Sequence, residues 1–229
     1  MKYYYDLHIH SDLSPCSNSD MTPNNIVNMC CIKGLSIISV TDHNTAENIL
    51  PVVRLGEKAN IMVVPGIEVT TREEVHVLCY FRNVDDAVLF GKMVYDSLPD
   101  VCNNPAIFGE QNIYDECDEI TGQLKKLLLN ATSYSINEVC SLVKSCGGIM
   151  VPAHVNKKSN SILSVLGFMP KNLQIDFVEV YQKAETDKRL TEGYGIFYNS
   201  DAHQLTDISE AVNFIELDSV EEIFKYMKI

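Results

Sequence analysis

The sequence predicts a mixed α/β domain built on a closed or nearly closed parallel barrel. Three observations carry this reading. Apolar runs of strand length alternate with helical patterns along most of the chain, the mark of repeated βα units. Roughly seven such units fit into 229 residues, a length suited to one domain with a substantial core. All six histidines lie in five short motifs beside apolar runs: Asp6-Leu-His8-Ile-His10, Thr41-Asp42-His43-Asn44, Val75-His76-Val-Leu-Cys79, Pro152-Ala-His154 and Ser200-Asp201-Ala-His203. Parallel barrels carry their functional groups at the C-terminal ends of the strands, which is where these motifs fall.

The elements follow in order. Residues 3–10 form the first strand. Thr22-Pro23 opens a helix running to Lys33, with Thr22 as N-cap, Pro23 in the first turn and Gly34 as the stop. A second strand at 35–41 leads into Asp42-His43, and a helix covers 46–58. Residues 61–69 form a third strand ending at Glu68, and 75–81 a fourth bearing His76. From 83 to 134 the pattern loosens into a helix over 85–96, then Pro99, Asn103-Asn104-Pro105 and the acidic run Asp115–Glu119. This segment reads as an insertion or cap, and the acidic run as a solvated face. Ser135-Ile-Asn-Glu138 fits a capping box for a helix that ends at Gly147-Gly148. Strands follow at 149–153, 176–181, 195–199 and 213–217, with a last helix over 220–228. The whole of 1–229 reads as a single domain.

Composition narrows the function. A chain 46% hydrophobic and 21% charged is an ordinary soluble domain. No apolar stretch approaches the roughly 20 residues of a membrane span. The N-terminus has no apolar signal region, so a cytoplasmic location is expected. Eight cysteines without a C-x-x-C pair suit reduced, mostly buried thiols. Cys16, in the loop after the first motif, is the candidate for a metal or substrate contact. A net charge of −13 disfavours tight binding to duplex nucleic acid but leaves a small phosphorylated substrate open, because bound ions invert the local field.

The histidine motifs point to metal. His8 and His10, two positions apart on a strand, face the same side. Asp12 and Asp20 lie in the loop beyond. Glu68 follows the apolar run Ile61–Pro65, where a lone carboxylate is costly to bury unless it bridges metal ions. Imidazoles with carboxylates suit two or three divalent ions of Zn, Mn or Fe better than Mg or Ca. Asp42 is placed to orient a ligand histidine. Lys157, Lys158 and Arg72 are candidate substrate-phosphate contacts.

Together the motifs resemble the polymerase and histidinol phosphatase (PHP) superfamily of metal-dependent phosphoesterases. The resemblance rests on Asp6–His10, Thr41–Asn44, Pro152–His154 and Ser200–His203, with Glu68 and His76 between them. It spans nearly the whole chain and is strongest over 4–81 and 146–203. It implies a distorted (β/α)7 TIM-like barrel, the PHP fold, with the insertion after the fourth strand. It also implies up to three ions. His8, His10, Glu68 and Asp201 would hold the first. Glu68 would bridge to a second, held also by His76 and His154. Asp20, His43 and His203 would hold a third. The family's Ser-Asp-Gly appears here as Ser19-Asp20-Met21, displaced by an enlarged loop. Asp12 competes for that role, and Asp20 is favoured because Thr22-Pro23 follows it as a helix start should.

The implied activity is hydrolysis of a phosphate monoester of a small metabolite or nucleotide by a metal-bridging hydroxide in a trinuclear site. His203 or Asp201 would protonate the leaving oxygen. A nucleotide or short oligonucleotide phosphodiesterase or exonuclease of the same family is the near alternative. A metal-dependent amidohydrolase-type enzyme and a non-catalytic metal-stabilised barrel are the more distant ones. The residues do not specify an oligomeric state.

Overall fold

The computed structural model describes residues 1–229, the side chain of Leu190 apart. In chain order the elements are β1 (Lys2–Ile9), α1 (Pro23–Ile32), β2 (Ile37–Val40), α2 (Ile49–Ala59), β3 (Met62–Val63), β4 (Gly66–Thr70), β5 (His76–Tyr80) and α3 (Val84–Asp96). The insertion then adds α4 (Pro105–Phe108), β6 (Asn112–Tyr114) and β7 (Ile120–Gln123). The chain closes with α5 (Ile136–Ser145), β8 (Ile149–Pro152), α6 (Ile162–Leu166), β9 (Phe177–Tyr181), β10 (Gly195–Asn199), β11 (Phe214–Glu216) and α7 (Ile223–Met227).

The strands pair as four sheets, ordered β11-β1-β2-β3, β4-β5-β8, β10-β9 and β6-β7. Single bridges join their ends: Ile9 with Ala202, and His43 with Glu68. The Val155 amide donates to the Glu179 carbonyl at 2.9 Å, linking the ends of β8 and β9. The fold is thus mixed α/β, its strands paired as four sheets that meet through single bridges.

Two strands also depart from the parallel pattern. β11 runs antiparallel to β1, and β5 runs antiparallel to both β4 and β8. The reason for β5 is geometric. Only residues 71–75 separate it from β4, whereas a parallel crossover needs a dozen or more. The turn is closed by the Thr71 amide donating to the Val75 carbonyl at 2.9 Å, with Glu74 at φ 65°. The strand expected over 61–69 is in fact two, β3 and β4, and Glu68 sits in the middle of the second.

Alternation sorts the side chains. On β5, Val77, Cys79 and Phe81 pack outward against Phe90 of α3 and Val139 and Val143 of α5. Leu78 and Tyr80 point inward to Leu7, Val151 and Phe197. Each such fully buried side chain contributes about 1.5–3 kcal/mol. On β1 the alternation breaks. Three steps from Asp6 to Ile9 oppose two on β2, a bulge that leaves Tyr5 and Leu7 inside while Ile9 packs outward with Ile26 and Ile38.

The insertion is tied down rather than solvated. Glu116 pairs with Arg54 at 2.5 Å and Lys58 at 3.0 Å. Asp118 accepts from the Asn24 amide at 3.0 Å and from the Thr22 hydroxyl at 2.5 Å. It thereby supplies the cap that Thr22 itself does not make to α1. The acidic run therefore docks the insertion on α1 and α2. The capping box at Ser135 and Glu138 forms as the spacing predicts.

Candidate metal centre

His8 near the end of β1 and His10 just beyond it are completely buried, and their Nε2 atoms converge to 3.1 Å. Their outward nitrogens are committed. His8 Nδ1–H donates to Glu179 at 2.8 Å, and His10 Nδ1–H donates to the Ser14 hydroxyl at 3.1 Å. Ser14 in turn donates to Asp42 at 2.7 Å and accepts from the His43 amide at 3.1 Å. Both Nε2 lone pairs are thus aimed at one point, which calls for a proton or a cation between them.

Glu68 is the hub. Its Oε1 lies 3.0 Å from His76, 3.2 Å from His154 and 3.4 Å from His8. Its Oε2 lies 3.0 Å from His43 and 3.4 Å from His10. Asp201 Oδ1 stands 3.3 Å from His8 and 3.2 Å from His10, and Lys157 pairs with the other Asp201 oxygen. His203 stacks on His10 at 4.3 Å between ring centroids and donates Nδ1–H to the Asp201 carbonyl at 2.9 Å. Three sets bring their donor atoms within 4.8 Å of one another: His8 with His10 and Asp201, His43 with Glu68 and His76, and His10 with His43 and His203.

The local backbone is bent to this end. Alternation from Val151 and Ala153, which face the core, would turn His154 away. His154 instead takes φ 31°, and Asp201 takes φ 50°. Such left-handed positions cost on the order of 1 kcal/mol or more in an L-residue and cluster at functional sites.

Electrostatics sharpen the picture. Burial would raise the Glu68 carboxyl, but the imidazoles of His76, His8 and His43 hold it well below the usual carboxylate range. Burial alone would lower His10, yet Asp201 and Glu68 lift it to about 9. Burial dominates at His43, lowered to about 3, and at His203, lowered to about 4 with the help of His10. The His43 Nδ1 and the Glu68 Oε2 face each other at 3.0 Å without hydrogen-bond geometry, and the His154 Nδ1 is buried with no partner. Buried imidazole and carboxylate atoms crowded in this way fit divalent metal ions.

Not every expected residue arrives. Asp20 is exposed on the loop and stands outside the donor sets. Asp12 is buried but spent on Tyr114 and Asn112 of the insertion, at 2.5 and 2.8 Å. Asp42 receives Ser11 and Ser14 and reaches His10 only through Ser14. Among the three cations, Lys157 lines the cavity of about 200 Å³ over the cluster, together with Leu129 of the insertion. Lys158 is exposed outside that lining, and Arg72 turns to Glu138 at 3.8 Å.

One buried carboxylate, Glu179, was not foreseen, and the role of another, Asp6, was left open. Glu179, in Phe-Val-Glu-Val-Tyr of β9, accepts from His8, from the His154 amide at 2.7 Å and from Asn199 at 2.8 Å. A single acid inside an apolar strand was the available signal, the same one that marks Glu68. Asp6 accepts from the Ser200 hydroxyl at 2.6 Å and the Ser209 amide at 2.9 Å, so the first motif anchors the last.

Fold and donor set together are those of a domain built to hold divalent metal ions. The chain belongs to the PHP domain family, whose model matches residues 6–195. Among solved structures it is similar to the lesion-specific endonuclease PfuEndoQ of Pyrococcus furiosus, with TM-score 0.69 and 20% identity, covering 100% of this chain and 56% of that one. The chain therefore spans about half the length of that endonuclease. A Bifidobacterium adolescentis protein described as a metal-dependent phosphoesterase matches with TM-score 0.69 and 16% identity over 97% of this chain and 96% of its own. An amidohydrolase from Chromobacterium violaceum matches with TM-score 0.63 and 15% identity over 98% and 96%. No curated protein sequence matches the chain.

Proposed function

We propose that the protein is a metal-dependent phosphoesterase that hydrolyses a phosphate monoester of a small metabolite or nucleotide. The observation that carries this reading is Glu68, one carboxylate within 3.4 Å of five imidazoles, with Lys157 beside Asp201 in the same small cavity. His8, His10 and Asp201 would hold one ion. Glu68 with His76 and His154 would hold a second, and His43 with His203 contribute to a third. Zn, Mn or Fe suits this mixture. Bound there, such ions supply Lewis-acid polarisation of phosphoryl oxygens and a nucleophile at neutral pH.

The chain's own residues do the rest. Glu179 and Ser14 fix the tautomers of His8 and His10, so that each Nε2 faces inward. Burial favours neutral Lys157, but Asp201 outweighs it and raises the ammonium, which keeps a full positive charge for the phosphoryl group. Leu129 and the docked insertion narrow the mouth, which favours a small substrate over a duplex, as does the net charge of −13. The likeness to an endonuclease keeps a short oligonucleotide as the second reading. A cytoplasmic location belongs to the same reading, supported by eight free cysteines.

The test is phosphate release from a panel of mononucleotides, a nucleoside bisphosphate, histidinol phosphate and a 5′-phosphorylated oligonucleotide, with an amide substrate set beside it. Turnover with Mn or Zn that is lost on chelation and in His8→Ala/His10→Ala supports the proposal. Amide turnover alone, or no turnover in metal-replete protein, overturns it.

A further inference from the structure

We infer that Leu129 selects the alcohol half of the substrate, favouring a phosphate ester whose leaving group presents a flat apolar face such as an aromatic ring. Asn44 is the positioning residue that holds Leu129 in place. The inference rests on the phosphoesterase reading above. Among the described residues Leu129, half-buried, is the one aliphatic side chain lining the cavity of about 200 Å³. Its neighbours there offer imidazole, carboxylate, amine, amide, hydroxyl or thiol groups. Phosphoryl oxygens belong with Lys157 and the donor set, so an apolar face on the substrate has Leu129 to pack against.

The segment carrying Leu129 is fixed on both sides. Leu128 is fully buried with Leu13 and Leu98, and its amide donates to Gln111 Oε1 at 3.0 Å. The Leu127 amide donates to the Val101 carbonyl at 2.8 Å. Asn44 closes the segment from the metal side. Its Nδ2 donates to the Leu128 carbonyl at 2.8 Å and to the Asn130 carbonyl at 3.1 Å, one on each side of Leu129.

Asn44 is itself firmly held. It is wholly buried at φ 55°, its amide donates to the Glu68 carbonyl at 2.8 Å, and its Oδ1 accepts from the Thr70 amide at 2.9 Å. One side chain thus ties the backbone of the hub residue to the insertion, and metal binding makes no use of it.

The test titrates zinc-loaded protein calorimetrically with phenylphosphonate and methylphosphonate, whose carbon–phosphorus bond is not hydrolysed. Turnover of phenyl phosphate and glycerol phosphate is measured beside it. The wild type should bind the phenyl compound more tightly. Leu129→Ala should weaken that binding about tenfold, with methylphosphonate affinity and zinc content little changed. Its kcat/KM for phenyl phosphate relative to glycerol phosphate should fall by a similar factor, and Leu129→Met should recover most of both. Asn44→Asp tolerates the left-handed backbone and removes the two donors. It should speed hydrogen exchange at the Leu127, Leu128 and Asn130 amides and shift the same ratio in the same direction. Equal affinity of the wild type for the two phosphonates, or equal weakening of both in Leu129→Ala, removes the selectivity of Leu129 alone. Unchanged exchange in Asn44→Asp removes the positioning role. Protein that holds its zinc, binds neither phosphonate and releases no phosphate removes the phosphoesterase reading and this inference together.

Discussion

Donors reach the centre from two kinds of strand. β1, β2, β8 and β10 release His8, His10, His43, His154, Asp201 and His203 at or just beyond their C-terminal ends. β5 runs the other way and delivers His76 as its first residue. Both kinds meet at the same end of the fold, so it is nearness to that end that selects these donors and not the direction of the strand. The burial differs. His8 and His10 are wholly enclosed and each is held by a second residue, whereas the His76 side chain keeps 17% of its exposure and has Glu68 as its one side-chain hydrogen-bond partner. The parallel strands therefore build the rigid base of the site, and the reversed strand adds one adjustable arm.

The strongest way to break this comparison is at the hub. Glu68→Gln should lower metal-dependent turnover roughly a thousandfold, because five imidazoles lose their shared anion in a water-poor site. Metal content should fall with it. His76→Ala should cost less, roughly a hundredfold in turnover with loss of one ion. If the two variants behave alike, the reversed strand is as much a part of the base as the others.

Glu179→Gln sharpens the base itself. It frees the ring of His8, so affinity for metal should drop about 10- to 100-fold while turnover at saturating metal largely recovers. Isothermal titration separates that outcome from simple unfolding. Lys157→Ala should act mainly on KM, raising it about tenfold with kcat less changed, if the lysine serves as a charge for phosphate. An equal fall in kcat would move Lys157 into the chemistry.

The smallest effect is on stability. In chelated protein His10 titrates at about 9, above its ordinary 6.5. A folded value above the unfolded one stabilises fully below the unfolded pKa and loses that contribution as pH rises through the folded one. The Tm of chelated protein should thus fall by a few degrees between about pH 6.5 and 9. Metal-loaded protein should lack that slope. A slope of the same size in both forms would mean that the ions do not displace the His10 proton.

Much of this was legible in the residues. Helix starts at Pro23 and Ser135, the strand carrying His8, the strand that ends just before His154, and the gathering of the histidines at strand ends all follow from caps, alternation and spacing. The direction of β5 was also legible, since residues 71–75 are too few to cross over. The expectation of an all-parallel barrel passed over that signal. Glu179 was legible by the same logic as Glu68. The docking of Glu116 and Asp118 was not, because an acidic run reads alike whether it faces solvent or a helix N-terminus.

By itself the sequence determined the donor types and the end of the fold where they gather. Histidines and lone acids beside apolar strands are too costly to bury for any purpose but mutual or metal contact. Only the tertiary structure decided which loop residues join them. Ser14 reaches Asp42 across 28 positions, and Asn112 takes Asp12 across 100. Those contacts hold the enlarged loop so that Cys16 lines the cavity and Asp20 does not. A loop's path depends on partners far along the chain, and no local pattern of residues encodes it.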